Sequence, residues 1–410
     1  MKILIVSNLY PPESRGGAEM IARDFAEEAV RQNHELWSLS TTTRENTDEG
    51  IADDVVGGVK IRRYAPKLPY YILEDAEQSL GSRLMWHAKD LVGSRATSDL
   101  VTETIKESSP DVIVTFNLRG MEIGSVVRAI RRSRINWIHE LHDVQLLVPS
   151  GLEWFGPQKR VGLRWLWQSR IVKMFYGWLT GYIMGSPGLV VSPSVYMIDA
   201  HKKMGLFVKS ESHVLINPVD LDVDRARFTP NMDGRAKVDK TQDHDKVTKL
   251  LYVGQLELHK GVHDVLEALK HVSEHKVELD IVGAGSQQDE LMNQVLELPD
   301  SVVVRFHGRV SHERVFEFMA SASALVLPSV VVENCPGVIL EARSVGLPVI
   351  ASNVGGIPEL IAPEGLFEPA DPRGIAEKIH LLAEGKVSAS SKDDLISVSI
   401  YVDNLLKQQK

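Results

Sequence analysis

The most informative chemistry in this sequence lies in two carboxylates that bound the segment Glu333-Asn334-Cys335-Pro336-Gly337-Val338-Ile339-Leu340-Glu341. An apolar run, Ala324–Leu327, and a Pro328-Ser329 turn precede it. A helical pattern over Gly337–Val345 follows and stops before Gly346-Leu347-Pro348. Glu333 is thus expected at the mouth of a helix and Glu341 on its body. The first turn of a helix has unpaired N–H groups and the positive end of the dipole, which suit a phosphate. Ionised carboxylates are good acceptors for paired hydroxyls such as those of a ribose or hexose. On spacing alone, a cap residue and a solvated helix Glu explain the two acids equally well.

Gly16-Gly17, after the first apolar run, would let the backbone approach a phosphate or acceptor closely, or simply turn the chain. The single cysteine, Cys335, excludes an intrachain disulfide and any multi-cysteine metal site, which fits a reducing compartment. The fourteen histidines are scattered. His271 and His275 have helical i,i+4 spacing, but a lone pair falls short of a ligand set, so no metal site is assigned.

The elements that must position these residues follow from hydrophobic periodicity. In the first half, strands are expected at Lys2–Ser7, Glu35–Ser40, Val59–Tyr64, Asp111–Phe116 and Asn136–Leu141, with a helix over Glu19–Gln32. In the second half, strands are expected at Lys249–Val253, Val277–Val282, Val302–Phe306, Ala324–Leu327 and Pro348–Ala351. Helices are expected there over Val262–His275 and near Gln287–Leu296. Continuous apolar strands alternating with helices imply parallel sheets covered on both faces. The fold class is therefore α/β, with two doubly wound domains that leave a cleft between the carboxyl ends of their strands, where ligands usually bind. The boundary is placed near Asn217-Pro218-Val219-Asp220, just after strand Ser212–Ile216; polar Asn231–Asp245 reads as a surface loop. The polar tail after Ser388 reads as partly disordered ahead of a last helix.

Composition agrees with two soluble domains. The 410 residues exceed one ordinary core, and 43% apolar with 25% charged residues is a globular balance. Asp plus Glu is 55 against 46 Lys plus Arg, and a net charge of −9 makes a nucleic-acid partner a poor expectation. The start, Met1 to Val6, is too short an apolar run for a signal peptide and reads as a buried strand. Met174–Ile198 has no charged residue, but its glycines and prolines make it a helix end, a turn and a strand rather than a membrane span. A cytoplasmic location follows as the expectation.

Glu333 and Glu341 are followed by Gly346-Leu347-Pro348-Val349-Ile350-Ala351 and Gly355-Gly356-Ile357-Pro358-Glu359. Upstream lie Tyr10-Pro11-Pro12, Gly16-Gly17-Ala18-Glu19, Asn33-His34-Glu35, Leu141-His142-Asp143 and Ser192-Pro193-Ser194. Asn217-Pro218-Val219-Asp220, Val253-Gly254-Gln255-Leu256 with Lys260-Gly261, Ile281-Val282-Gly283-Ala284-Gly285 and Phe306-His307-Gly308 continue the series in the same order. Each motif alone is weak; together they cover nearly the whole chain, and the whole pattern resembles the GT4 family of retaining glycosyltransferases.

The resemblance implies the GT-B fold, two Rossmann-like, doubly wound domains facing across a deep cleft. Residues 1–216 would form an acceptor-binding domain and 217–392 a nucleotide-sugar-binding domain. Residues 393–410, with the helix Tyr401–Leu406, would return to the first domain. It also implies metal-independent transfer with no cofactor, the nucleotide sugar being a co-substrate. Attack would come from the face that the diphosphate leaves, so no protein nucleophile is demanded.

Residue roles carry over in the same way. Glu341 would take the ribose hydroxyls and Glu333 those of the transferred sugar. Amides of Cys335, Gly337 and Val338 would face sugar and diphosphate. Lys260 would stabilise the leaving diphosphate, where charge develops as the glycosidic bond breaks. His142 would donate to sugar or phosphate, or be a structural His beside Asp143. His139, in the same stretch, is read as structural. Gly16, Gly17 and Gly285 would lie near the nucleotide, and Arg309 would flank its base or be a surface Arg. Two departures bear on activity. Pro336 lacks an amide common in this loop, although an Asn-x-Pro form also occurs in the family. Gln255 stands where the family commonly has Arg, so another base, with Arg15 as candidate, would have to compensate.

The acceptor side is less specified. Leu152–Tyr182 holds four of the seven tryptophans, Trp154, Trp165, Trp167 and Trp178, and five bases, Lys159, Arg160, Arg164, Arg170 and Lys173, against one acid, Glu153. Val161, Trp165, Gln168, Val172, Phe175 and Leu179 would share one helical face. A basic, Trp-rich amphipathic helix can lie in an anionic membrane interface and would suit a lipid-linked acceptor. An ordinary packed helix with a solvated basic side is the simpler reading, Gln168 being the only break in the stripe. The Arg128, Arg131, Arg132, Arg134 cluster reads as a solvated helix end or an extension of the same basic surface. The expected function is transfer of a hexose from a UDP- or GDP-sugar to a glycan or lipid-linked acceptor, in polysaccharide or glycoconjugate synthesis. The alternatives are a GT-B protein that binds nucleotide or glycan but transfers little, and a nucleotide-sugar epimerase.

Overall fold

The structure, a computed structural model, describes residues 1–13, 16–48, 50–157, 168–220, 247–272 and 276–408, with only the backbone considered at 75–77. The chain divides into two units. One takes in Met1–Leu152, Leu166–Pro218 and Ser397–Lys410, the other Glu153–Trp165 and Val219–Ile396.

The first unit is built on strands β1 (Lys2–Val6), β2 (Glu35–Thr41), β3 (Ile51–Val56), β4 (Val59–Tyr64), β5 (Val112–Thr115), β6 (Asn136–Glu140), β7 (Leu189–Ser192) and β8 (Glu211–Val214). Their order is β3-β4-β2-β1-β5-β6-β7-β8, parallel except for the β3–β4 hairpin. Ile3 to Val6 on β1 are fully buried, because a central parallel strand is covered on both faces. Helices α1 (Gly17–Arg31), α2 (Leu80–Val92), α3 (Arg95–Ser108), α4 (Ile123–Ser133), α5 (Arg170–Met184) and α6 (Val195–Lys203) cover the sheet. α1 buries Ala22, Phe25, Ala26 and Ala29, at helical spacing. The C-terminal helix, Val398–Lys407, packs on α1 with Tyr401, Val402, Leu405 and Leu406 inward. Its Ser397 side chain caps it by accepting the Ile400 N–H at 3.3 Å.

The second unit has β9 (Thr248–Val253), β10 (Val277–Val282), β11 (Val302–Gly308), β12 (Ala324–Leu327), β13 (Val349–Ser352) and β14 (Leu366–Phe367). The order is β11-β10-β9-β12-β13-β14 and all pairs are parallel. α7 (Val262–Leu269), α8 (Gln288–Val295), α9 (His312–Ser321), α10 (Gly337–Ser344) and α11 (Pro372–Ala383) connect them. The chain winds outward from β9 to β11, then returns to place β12 on the other side of β9. That reversal is a topological switch point, and the loops after β9 and β12 diverge there.

Several expectations need correction. α7 ends at Leu269, not near His275, and His271 sits in the turn beyond it, its N–H bonded 2.9 Å from the Ala268 carbonyl. His275, the other member of the i,i+4 pair, is outside the described residues. The tail after Ser388 is tied down. The buried Arg343 guanidinium on α10 donates to the Ser391 carbonyl at 2.9 Å and to Asp394, and the Ala362 N–H donates to Ser390 Oγ at 3.0 Å. Of the stripe expected from Val161 to Leu179, the described part, from Gln168 onward, is not one packed helix face. α5 begins only at Arg170, Gln168 is buried in the turn before it, and Phe175 points outward. Val161, Lys159, Arg160, Arg164, Trp165 and Trp167 lie outside the described residues, as do Arg15 and Asn231–Asp245.

Candidate active site

The two loops at the switch point of the second unit carry the two residues that matter most. A short 3-10 turn, Leu258–Lys260, follows β9; Glu333 lies in the loop between β12 and α10. Lys260 Nζ donates to Glu333 Oε1 at 2.6 Å, and Ser329 Oγ donates to the same oxygen at 2.8 Å. Burial pushes the Glu333 carboxyl up. The Lys260 charge and hydrogen bond, Ser329 and the nearby His259 outweigh that and hold it below the usual carboxylate range. Among the described residues Glu333 Oε2 accepts no hydrogen bond, and Lys260 keeps two further N–H donors. The pair therefore holds a fixed acceptor and a fixed cation side by side.

The backbone makes this juxtaposition compact. Gly261 has φ +72°, and a Cβ there would lie 2.0 Å from the Pro328 carbonyl oxygen. The Val330 N–H donates to the His259 carbonyl at 3.0 Å, which ties the turn after β9 to the loop after β12. On the far side of the loop, Gly355 has φ +58°, and a Cβ there would lie 1.9 Å from the Glu333 carbonyl oxygen, which accepts the Gly356 N–H at 2.8 Å. Only glycine allows both the left-handed backbone and the approach.

Glu341 sits on α10, facing away from water in part, and its Oε1 lies 2.9 Å from His312 Nε2 at the start of α9. Gly337 opens α10 and is exposed, Val338 is half-buried, and Cys335 is buried beneath the loop. The Ile339 N–H donates to the Pro336 carbonyl at 3.0 Å; the Gly337 and Val338 amides before it have no partner within the helix, which is what an anion needs. Gln255 is exposed, and its carbonyl accepts the Tyr252 hydroxyl at 2.7 Å. Gly285 lies in the loop after β10, which packs on the loop after β9 through Leu256 N–H to Ala284 O at 3.1 Å and Gln287 N–H to Leu256 O at 2.9 Å. Arg309, beyond β11, is exposed.

Sequence reasoning missed Ser329 and His312, and the part of the 153–157 segment in this unit. Val332 N–H donates to the Glu153 carbonyl at 2.9 Å, Phe155 N–H to the Val330 carbonyl at 2.8 Å, and the Trp154 ring meets His259 edge-on at 6.4 Å. Ser329 was visible as the polar half of the Pro328-Ser329 turn; nothing in the sequence signals Trp154 beside His259, more than a hundred residues later.

The remaining candidates belong to the first unit. Gly16 is extended and its N–H donates to Glu19 Oε2 at 2.9 Å. Gly17 opens α1, and a Cβ there would meet nothing, so packing inside the unit does not demand glycine. His142 is nearly buried, stacked on Phe116 with centroids 5.6 Å apart, its Nε2 2.9 Å from Glu140 Oε1. Burial pushes the imidazole down, but Glu140, with Asp143 and Glu19 beyond it, overrides this and raises its pKa. The Tyr401 hydroxyl, from the C-terminal helix, donates to the same Glu140 oxygen. His139 is buried, bonded to Thr115 Oγ1 at 2.8 Å, and burial lowers its pKa to about 3. Among the described residues no three or more His, Cys, Asp or Glu side chains converge as metal ligands would. No helix among them is long and apolar enough to cross a membrane.

Comparison with known proteins agrees with this architecture. Residues 235–396 match the family described as glycosyl transferases group 1. An uncharacterized 42.6 kDa protein in the cps region of Klebsiella pneumoniae is 25% identical over 365 residues, 88% of this chain and 87% of that one. The putative teichuronic acid biosynthesis glycosyltransferase TuaC of Bacillus subtilis is 27% identical over 48% of this chain and 47% of its own. The crystal structure of Anabaena Alr3699/HepE in complex with UDP-glucose aligns over 100% of this chain and 99% of that chain, with a TM-score of 0.63 at 17% identity. The similarity to the group 1 glycosyltransferases is thus carried by residues 235–396, less than half of the chain, and the two parallel-sheet units are of GT-B type.

Proposed function

We propose that this protein is a metal-independent, retaining hexosyltransferase of the GT4 type. It would take a UDP- or GDP-sugar and transfer the hexose to a hydroxyl of a glycan or lipid-linked acceptor, in cell-surface polysaccharide or glycoconjugate synthesis. The observation that carries this reading is the Lys260–Glu333 pair at the switch point, 2.6 Å apart, with one carboxylate oxygen and two ammonium N–H groups open to a ligand. The association of its relatives with a cps region and with teichuronic acid synthesis supports the pathway class, and the UDP-glucose complex of Alr3699/HepE supports the donor class.

In this reading Glu341 takes the ribose hydroxyls, Glu333 accepts from hydroxyls of the sugar, and the first amides of α10 with Lys260 meet the diphosphate. The bond from the anomeric carbon to the diphosphate breaks, and the acceptor oxygen bonds to that carbon on the same face. The acceptor proton passes to a diphosphate oxygen. Lys260 stabilises the charge that develops on the leaving group, and Glu333 holds the sugar in line. Gly16 and Gly17 leave the start of α1 clear for a phosphate or acceptor, and the raised pKa of His142 favours a positive charge in the first unit.

A second reading, nucleotide binding with little transfer, draws on Gln255 and Pro336, which supply no charge and no amide where the family commonly has them. A thermal-shift panel of UDP- and GDP-sugars, followed by donor hydrolysis and transfer assays, separates the two. Stabilisation by a nucleotide sugar with turnover supports the transferase; stabilisation without turnover across a broad acceptor panel supports the binding protein.

A further inference from the structure

The helix α5 is built inside out. Its packed face is small: Gly177 and Gly181 lie against Met204 and Leu206, and Thr180 and Met184 are buried beside them. Its solvent face is large and apolar: Ile171 is 80% exposed, Met174 54%, Phe175 64%, Trp178 63% and Tyr182 77%. At about 100° per residue these five side chains share an arc of roughly 100°, in one stripe along the helix. A helix meant for water carries the opposite arrangement, and a contiguous apolar stripe marks a surface that something covers.

We propose that the outer face of α5 docks the first unit on an anionic lipid surface. Charge selects this occupant. α5 has no acidic residue, and Arg170 at its start is exposed. The neighbouring α4, which packs on α5, exposes Arg128, Arg131, Arg132 and Arg134. Among the described residues none of these four pairs with a carboxylate, and Arg131 Nη1 reaches the Ile183 carbonyl at 3.2 Å, at the far end of α5. α2, which also packs on α4, exposes Leu80, Leu84 and Met85. A row of arginines bordered by apolar helices, in a chain of net charge −9, is the pattern that anionic headgroups attract. Trp, Tyr and Phe are the side chains that settle at the headgroup–acyl boundary. A second copy would offer this face the same positive charge, since an isologous contact presents one patch to itself.

The proposal does not depend on the transferase reading, because no residue of the donor site takes part. The test is flotation of the full chain with vesicles of mixed phosphatidylcholine and phosphatidylglycerol, and with phosphatidylcholine alone. Wild-type protein should float with the anionic vesicles and at least about tenfold less with the neutral ones. The double variant Phe175→Glu/Trp178→Glu should lose flotation at least about tenfold while keeping its circular-dichroism melt, since both side chains are exposed. Arg131→Ala/Arg132→Ala should lose the preference for anionic vesicles. Glu333→Gln should float as the wild type does. No flotation with either vesicle, equal flotation with both, or flotation unchanged by the double variant would overturn the proposal. So would a dimer in sedimentation equilibrium that Trp178→Glu dissociates without any vesicle binding; that result assigns the stripe to a second copy.

Discussion

Lys260 Nζ sits 2.6 Å from Glu333 Oε1, although the two residues are 73 positions apart and belong to different loops. Each neutralises the other in the ligand-free protein. A nucleotide sugar that uses both must therefore compete for the ammonium with the acid beside it. The diphosphate and the sugar hydroxyls do this together, since one supplies new acceptors for Lys260 and the other new donors for Glu333. Sugar and leaving group are then held by adjacent side chains, which is the arrangement a transition state with charge on the diphosphate needs.

Lys260→Ala removes the cation and leaves Glu333 with Ser329 as its remaining hydrogen-bond donor. Donor turnover should fall by about 10²–10³, the magnitude typical of one preorganised electrostatic contact. Glu333→Gln keeps the shape but cannot accept as a carboxylate, and should cut turnover comparably while leaving the melting temperature within a few degrees. Steady-state donor hydrolysis with parallel thermal melts checks both. Wild-type turnover in either variant would remove that residue from the chemistry.

Gly355→Ala places a methyl group 1.9 Å from the Glu333 carbonyl oxygen and a side chain on a left-handed backbone. The loop that carries Glu333 must move. A stability loss of about 1–3 kcal/mol is expected, with a fall in kcat larger than the rise in KM. Gly17→Ala, where a Cβ meets nothing, should leave stability unchanged within about 0.5 kcal/mol. Denaturant titration of the two variants side by side reads this difference.

Tyr401→Phe deletes the hydroxyl that donates to Glu140 and leaves a buried carboxylate oxygen with less compensation. The expected cost is about 1–3 kcal/mol in urea unfolding. Removal of residues 397–410 should cost more, because it also uncovers the face of α1 on which the last helix packs. An unchanged urea midpoint for Tyr401→Phe would show that the contact with Glu140 carries no stability.

His142 gives a pH signature. Its folded-state pKa is raised above the ordinary 6.5, so the imidazolium is the form the fold favours. The stability it contributes is fully present below pH 6.5 and is lost as pH rises through the raised folded value. The melting-temperature gap between wild type and His142→Gln should therefore be widest in mild acid and narrow toward alkaline pH. A gap that widens with rising pH would contradict the Glu140 pairing.

The strands were legible because apolar runs such as Ile3–Val6 and Leu325–Leu327 leave few other readings; the paired acids were legible because a helix start follows them. The partners were not. That Glu333 meets Lys260, and Glu341 meets His312, is decided by the order in which the strands return to the sheet. The hairpin strand β3 was missed because Ile51–Val56 carries two aspartates and lies at the sheet edge, where burial leaves no pattern. The tail after Ser388 looked disordered because its fastening, the buried Arg343, lies on a helix distant in sequence. α5 misled in the other direction: Phe175, expected in a packed stripe, points to solvent with Ile171, Met174, Trp178 and Tyr182, because the glycines and Thr180 on the opposite side let the helix pack closely.

The most direct measurement is calorimetric titration of UDP and GDP, and of their sugars, into wild-type protein and into Lys260→Ala and Glu341→Gln. The account predicts one saturable nucleotide-diphosphate site, weakened at least about tenfold in each variant with the fold retained, the loss expected for a charge-assisted contact. Undiminished affinity in both variants, or no saturable binding of either nucleotide to the wild type, would contradict it.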